Sequence, residues 1–466
     1  MNAGIPSKDR GFPTGEGERA RVRLAVRRPS VTVRNYTNKR AGTVITALAS
    51  AAVIALAGCG SSSKTAATGP DTGTGPLTFA VFNPFSGPDA SFGPEQVAGC
   101  LPAAAAIQAA GGILDHKQVS CKSADTRGDP ADAVPAAEQL IASTSGFMGV
   151  LGPGSDEASA TVPLFDRAHI PMFGDTGQKV FDKSSFNYFY RITAPDDAVG
   201  YAMALYAHQK GYSHVAGVFG NDISSQGTAP TAAAGFRHLG GTIVTQSIPL
   251  DQSSYRTEIE QVIGSHPQAI MTEADPQTSG TYMAELRQLY KVIPIIGTNG
   301  TNQPPWFKAV GGAIGQANLA TYYAGAQPYA PVTGAPYQEW RKELAVVAGK
   351  VSQPVTQWEQ DSYAMAAWDS INLIALAAQE AKSTNPAVFN PDIVRIAGPT
   401  PGATVVHSFA EGKQALAAGK KIQYVGAVGA ITFDQYRNSP GQFEIVKSDG
   451  HTPIVTYTAN QVAAAR

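Results

Sequence analysis

"LTFAVFNPFSGPDASFGPEQVAGCLPAAAAIQAAGGILDHKQVSCKSAD", residues 77–125, sets the pattern that the rest of the chain repeats. The short apolar run 77–82 stops at Pro84 and Gly87 and reads as a buried strand. Val97, Cys100, Leu101, Ala104 and Ile107 then recur at helical spacing until Gly111-Gly112 ends the helix. "QVSCKSAD" returns as a strand. Asp129 is positioned to cap a following helix, with Pro130 at its first turn and Val134, Ala137, Leu140 and Ile141 on its apolar stripe. "FMGVLG" is a further buried strand, a helix starts near Asp156, and "HIPMFG" is the next strand.

The alternation restarts after "YRITAPDD". Helix 196–210 leads to strand 214–220, and helix 226–239 ends at Gly240-Gly241. Strand "TIVTQSI", helix "YRTEIEQVIGS", strand "QAIMTEA", helix 277–290 and strand "VIPIIG" follow. Strands alternating with amphipathic helices predict parallel, doubly wound sheets covered on both faces. Two such runs predict an α/β protein with two lobes. The last third adds one long helix, "TQWEQDSYAMAAWDSINLIALAAQEA", and a closing strand, "GAITFD".

Upstream of this body the charge is lopsided. Residues 1–40 hold ten Lys and Arg against three acids. From totals of 35 and 36, this leaves 25 basic and 33 acidic residues for 59–466, a net of −8. Such a body is a poor nucleic-acid binder, because phosphate neutralisation needs clustered Lys and Arg. The basic segment instead precedes an uncharged run, "AGTVITALASAAVIALAG" (41–58), in the order of an export signal. That run is short and Ala-rich for a spanning helix, which needs about 20 predominantly apolar residues. "LAGC" (56–59) resembles a bacterial lipobox, with cleavage before Cys59 and lipid on its thiol. "GSSSKTAATGPDTGTGP" then has the composition of a flexible tether. The basic "VRNYTNKR" (33–40) suffices as the n-region, so translation is expected to begin near Val31 or Val33. The two remaining cysteines of the three, Cys100 and Cys121, are either one bridge or two buried thiols.

No local enzyme motif is present. The sequence lacks His-Glu-x-x-His, Gly-x-Ser-x-Gly, a phosphate loop and a dinucleotide fingerprint, and its eight His show no metal-ligand spacing. In open α/β sheets ligands bind beyond the carboxyl ends of the strands. The candidate lining is therefore the loops 83–93, 152–159, 174–178, 220–227, 273–280 and 297–302.

Ser86-Gly87-Pro88, Gly111-Gly112-Ile113 and Asp125-x-x-x-Asp129-Pro130 resemble the opening of the periplasmic branched-chain amino acid receptor family, type I solute-binding proteins of ABC importers. "GPGS" (152–155), "FYRITAPDDAVG" (189–200), "AAWDS" (366–370) and "VGAVGAITFD" (425–434) extend the likeness over roughly residues 77–450. The resemblance implies two lobes joined by three hinge crossings near 194–195, 326–328 and 434–441. It implies a signal over 1–58, a tether over 59–76, lobe 1 from 77–194 plus about 327–436, and lobe 2 from 195–326 plus about 441–466. Relatives also carry a disulfide around the first helix–strand unit, which supports Cys100–Cys121.

The implied ligand positions follow the same motifs. Phe92 matches an aromatic that packs on the ligand. Ser155 and Asp156 match the carboxylate-holding loop, and Asp175, Thr176 and Gly177 the third loop. Ser224 stands where relatives place a Tyr. Asn299 stands where they place the carboxylate that holds the ligand's amine, so either Glu273 or Asp275 takes that role or the ligand is not an ordinary α-amino acid. The expected partners are a small-molecule ligand, ABC permease subunits, and the cell membrane through lipid on Cys59 on the extracytoplasmic face. A monomer, no nucleic acid, no cofactor, no metal and no catalysis are expected. A sensor of the same fold feeding a signalling partner is the alternative, and an enzyme would need titratable groups converging in the cleft.

Overall fold

The computed structural model describes residues 73–195 and 198–466. The expected signal, Cys59 and the tether up to residue 72 lie outside the described residues.

Five parallel strands make the first sheet: β1 (Leu77–Asn83), β2 (Val119–Asp125), β3 (Phe147–Leu151), β4 (Met172–Phe173) and β5 (Phe189–Tyr190). Their order is β2-β1-β3-β4-β5. Consecutive residues of β1 are buried on opposite faces, as in a sheet covered on both sides. Phe79 and Val81 join the core formed with α1 (Phe92–Ala109) and a later helix over Ser362–Ala381, whereas Ala80 and Phe82 pack with α2 (Pro130–Ser143) and α3 (Ser155–Arg167). The predicted cap of α2 is present, with Asp129 Oδ1 accepting from the N–H of Ala131 at 2.8 Å. Cys100 of α1 and Cys121 of β2 are joined by a disulfide.

The second lobe runs through α4 (Val199–Gln209), β6 (His214–Gly220), α5 (Ile223–His238), β7 (Thr242–Ile248), α6 (Arg256–Ile263), β8 (Ala269–Glu273), α7 (Pro276–Leu289), β9 (Ile295–Gly297), α8 (Pro304–Ile314), α9 (Gln316–Tyr322) and β10 (Tyr323–Pro328). The parallel part of its sheet has the order β7-β6-β8-β9-β10, the pattern of the first sheet repeated. Two late strands, β14 (Phe443–Val446) and β15 (Pro453–Tyr457), extend its edge antiparallel.

Between β10 and β14 the chain returns to the first lobe through α10 (Gly334–Val346), α11 (Val355–Trp358), α12 (Ser362–Ala381) and α13 (Pro386–Ala397). The single long helix expected here is two. Asp361 takes an extended conformation and its side chain accepts from the N–H groups of Tyr363 and Ala364, so it caps a new start. Helix α12 is buried along nearly its whole length and crosses α1. At that crossing Gly99 is required: a Cβ there would lie 2.4 Å from Ala364 O and 2.4 Å from Ala367 Cβ.

A small sheet of β11 (Thr404–Val406), β12 (Ile422–Gly426) and β13 (Gly429–Ala430), with α14 (Phe409–Ala417) between its first two strands, completes the lobe. Only Gly429–Ala430 of the expected "GAITFD" strand joins a ladder. Buried Asp369 of "AAWDS" accepts from the Tyr424 hydroxyl at 2.7 Å and from the N–H groups of Ala427 and Val428, each at 2.9 Å. Gly426 admits that carboxylate, since a Cβ would lie 1.9 Å from Asp369 Oδ1. Two motifs far apart in sequence are thus one structural joint.

The chain passes between the two sheets three times, after β5, after β10 and after β13, and the passages lie side by side. Arg191 pairs in parallel with Asn438, and Tyr329 N–H donates to Gln442 O at 2.9 Å.

Candidate functional site

In a sheet of order 2-1-3-4-5 the crevice opens where the winding reverses, between the first and third strands. Both sheets place that point at one cleft. Asn83 ends β1 and Ser155–Asp156 follow β3, while Asp222 and Ser224 follow β6 and Glu273–Asp275 close β8. Three connected spaces result: an outer cavity of about 360 Å³, a narrow inner one of about 40 Å³, and a back cavity of about 450 Å³. Glu95, Asn299, Gln303 and Tyr363 line both the inner and the back space and form the waist.

The first motif explains how the entrance loop is held. Asp125 Oδ1 accepts from the N–H groups of Phe85 at 2.8 Å and Arg127 at 2.9 Å, and Oδ2 accepts from Ser86 Oγ at 2.6 Å. Burial alone would raise this carboxyl, but those bonds hold it below its ordinary value. The loop fixed in this way carries Asp89 and leads into α1, whose first residue is Phe92. Thr126 Oγ1 donates to Glu157 Oε1 at 2.8 Å, fixing α3 against the same corner.

Phe92, Ser155, Asp156, Asp175, Ser224, Glu273, Asp275 and Asn299 all line the outer or inner cavity. Thr176 and Gly177 do not. Thr176 is fully buried with its hydroxyl accepting from Gln178 N–H at 3.1 Å, and Gly177 N–H donates to Ser155 Oγ at 3.2 Å. Their work is to brace the loop. Asp275 has a similar duty, since its Oδ1 accepts from the N–H groups of Gln277 at 2.8 Å and Thr278 at 3.0 Å and caps α7. Glu273 is 8% exposed and its Oε1 accepts from Ser224 Oγ at 2.9 Å.

The lobes touch directly. Ser224 N–H, at the start of α5, donates to Asp156 Oδ1 across the cleft at 3.2 Å. Gln303 Nε2 reaches Glu95 Oε1 at 3.5 Å. Burial, then the neighbouring carboxyl of Asp361, pushes Glu95 well above the usual carboxylate range.

Sequence reading did not single out Asn83, Asp89, Glu95, Glu157, Asp222, Gln303 or Tyr363. Asn83, Asp89, Glu157 and Asp222 lie in loops it marked as lining. Glu95 and Tyr363 lie inside helices, where periodicity gives no sign of a cleft. Burial, followed by the neighbouring carboxylates Asp156 and Asp222, pushes Asp89 up to about 8. Burial, then Asp222 and Glu157, pushes Asp156 up to about 7. Among the described residues, no three His, Cys, Asp or Glu side chains are arranged to hold a metal ion, and no helix is long and apolar enough to cross a membrane.

The family model described as periplasmic binding protein matches residues 76–442, and the chain belongs to that family of binding proteins, which is not an enzyme family. Its fold is the family's type I α/β fold of two parallel-sheet lobes. The branched-chain amino acid transporter substrate binding protein of Streptococcus pneumoniae, solved with isoleucine, is similar at TM-score 0.64 and 18% identity, over 82% of this chain and 99% of that one. A solute-binding protein from R. palustris in complex with benzoate is similar at 0.61 and 16%, over 83% and 96%. A fatty acid ABC transporter substrate-binding protein from Thermomonospora curvata is similar at 0.65 and 13%, over 85% and 95%. No curated protein sequence matches the chain.

Proposed function

We propose that this periplasmic binding protein is the lipid-anchored, extracytoplasmic solute receptor of an ABC-type importer, capturing a small polar solute (an amino acid, an amide or a related compound) between its lobes. The observation that carries this reading is the cleft built from both switch points, with Ser224 and Asp156 meeting across it. A ligand that touches both lobes favours the closed state by its differential contacts, and the closed surface is what permease subunits would recognise. Phe92 supplies an apolar wall. Ser155, Asp156 and Asp175 present polar groups from lobe 1, and Ser224, Glu273 and Asn299 from lobe 2. Of the two acids expected to replace the amine-binding carboxylate, Glu273 is the better placed, because Asp275 is occupied in capping α7.

The relatives solved with isoleucine and with benzoate show how wide a ligand range this fold serves. A thermal-shift panel of amino acids, amides, amines and organic acids tests the reading. A specific ligand at 100 times its Kd adds about 2.7 kcal/mol of stability. No shift from any member sinks it. The anchor is tested separately: Cys59→Ala should release the protein from the membrane fraction, and retention of that variant argues for a spanning signal instead.

A further inference from the structure

The charge of the cleft is one-sided. Lobe 1 turns Asp89, Asp156 and Glu157 toward it, and lobe 2 turns Asp222, Glu273 and Asp275. Among the described residues, the one basic side chain lining the outer and inner cavities is Arg127, at the rim, 64% exposed and paired with Asp132 at 3.6 Å. Closing the lobes brings like charges together, which costs free energy unless a cation enters between them. The N-terminus of α5 offsets part of this, since Ser224 N–H faces Asp156 and Ser225 N–H donates to Asp222 Oδ1 at 2.7 Å.

Two further observations point the same way. Asn83 is fully buried at the end of β1 and lines the inner cavity. Its Nδ2 donates to Leu151 O at 3.2 Å, while its Oδ1, an acceptor, has no hydrogen-bond partner among the described residues. An unsatisfied buried acceptor calls for a ligand that donates. Conversely, three backbone donors of the lining loops are already used by protein acceptors. Gly154 N–H donates to Glu157 Oε1 at 3.3 Å, Gly177 N–H to Ser155 Oγ, and Ser224 N–H to Asp156. The acids are spread around the cavity and do not converge on a metal-sized point, so the charge they match is itself extended.

We propose that the cleft selects a small organic cation of net positive charge, a di- or polyamine or a guanidinium compound without a compensating carboxylate, which holds the lobes closed by bridging the acids of both. This deepens the reading of solute capture and rests on it. The Phe92 ring suits the aliphatic stem or the cationic head of such a ligand.

The test is calorimetry and thermal shift on the full chain with 1,4-diaminobutane, spermidine and agmatine, against L-leucine, L-glutamine, benzoate and calcium chloride. The cationic probes should raise Tm, and their Kd should rise several-fold between 50 and 200 mM salt. Asp156→Asn and Glu273→Gln should each weaken them at least tenfold without lowering the ligand-free Tm. Binding of leucine, glutamine or benzoate with no response to the amines overturns the charge inference and leaves solute capture standing. A response to calcium alone also overturns it, in favour of an inorganic ion. No response to any probe overturns both.

Discussion

Arg191→Met removes the most connected cation in the hinge. Arg191 follows β5 at the first passage between the lobes, and its side chain is 1% exposed. Nε donates to Asn438 Oδ1 of the third passage at 2.7 Å, Nη1 to Thr176 O at 3.2 Å, and Nη2 to Asp182 Oδ1 at 2.7 Å. Methionine preserves the stem and deletes all three donors. Asp182, with its side chain 32% exposed, recovers hydration and limits its own loss. Asn438 has no easy remedy, because flipping its amide would break its bonds to Asp182 O at 3.0 Å and Phe181 O at 3.4 Å. Each buried acceptor left unmet costs about 1–3 kcal/mol. The expected loss is therefore roughly 3–5 kcal/mol, the scale for breaking a buried ion pair. Urea unfolding followed by tryptophan fluorescence measures it, with an unchanged m-value showing that the midpoint shift is a stability change. A loss below about 1 kcal/mol at constant m would refute the reasoning that the hinge depends on this guanidinium.

Three further outcomes are expected. Gly99→Ala should destabilise by about 1–3 kcal/mol through overpacking of the α1–α12 crossing, although alanine is the better helix former; an unchanged or higher Tm would contradict the close approach. Removing the Cys100–Cys121 bridge, with a sequence separation of 21, should cost about 3 kcal/mol by loop entropy; urea midpoints with and without reductant that agree would show that the bridge contributes little. Ligand-free stability should fall as pH rises from about 4 to about 8. Burial and, for the first two, like charges raise Asp89 to about 8, Asp156 to about 7 and Asp369 to about 7, so the folded chain keeps protons that the unfolded chain has already released. A urea midpoint that is flat or rising over that window, or one that Asp89→Asn plus Asp156→Asn fails to flatten, would count against this.

The alternation of apolar runs and capped helices was enough to read two doubly wound lobes, because strands covered on both faces must be apolar throughout and each β–α turn needs its own cap. Asp129 is an example: its identity, its Pro neighbour and its position after a strand already state its role. The break before α12 was hidden, since Asp361 sits inside a pattern whose apolar period continues past it. The small β11–β13 sheet was hidden for another reason. Its strands are short, and what holds them is Asp369, a residue whose partners lie more than fifty positions away.

The candidate site divides in the same way. Residues on loops after strands were legible because topology alone sends them to the crevice, and Asp156, Ser224 and Glu273 all line it. Which of those loop residues face a ligand and which brace the loop depends on bonds made by neighbours in space. Thr176 and Gly177 turn inward because Gln178 and Ser155 receive them there, and Asp275 is committed to α7. The net charge of the cleft is a property of this assembly and not of any segment. No loop carries more than a few acids, and each taken alone reads as ordinary turn and cap chemistry. Burial in the cleft, and then the neighbouring carboxylates that include Asp222 from the other lobe, raise the carboxyls of Asp89 and Asp156. A zwitterion would leave that repulsion in place, whereas a cation removes it on binding. The like charge that the two lobes bring to one cleft is thus what the sequence, read one loop at a time, conceals.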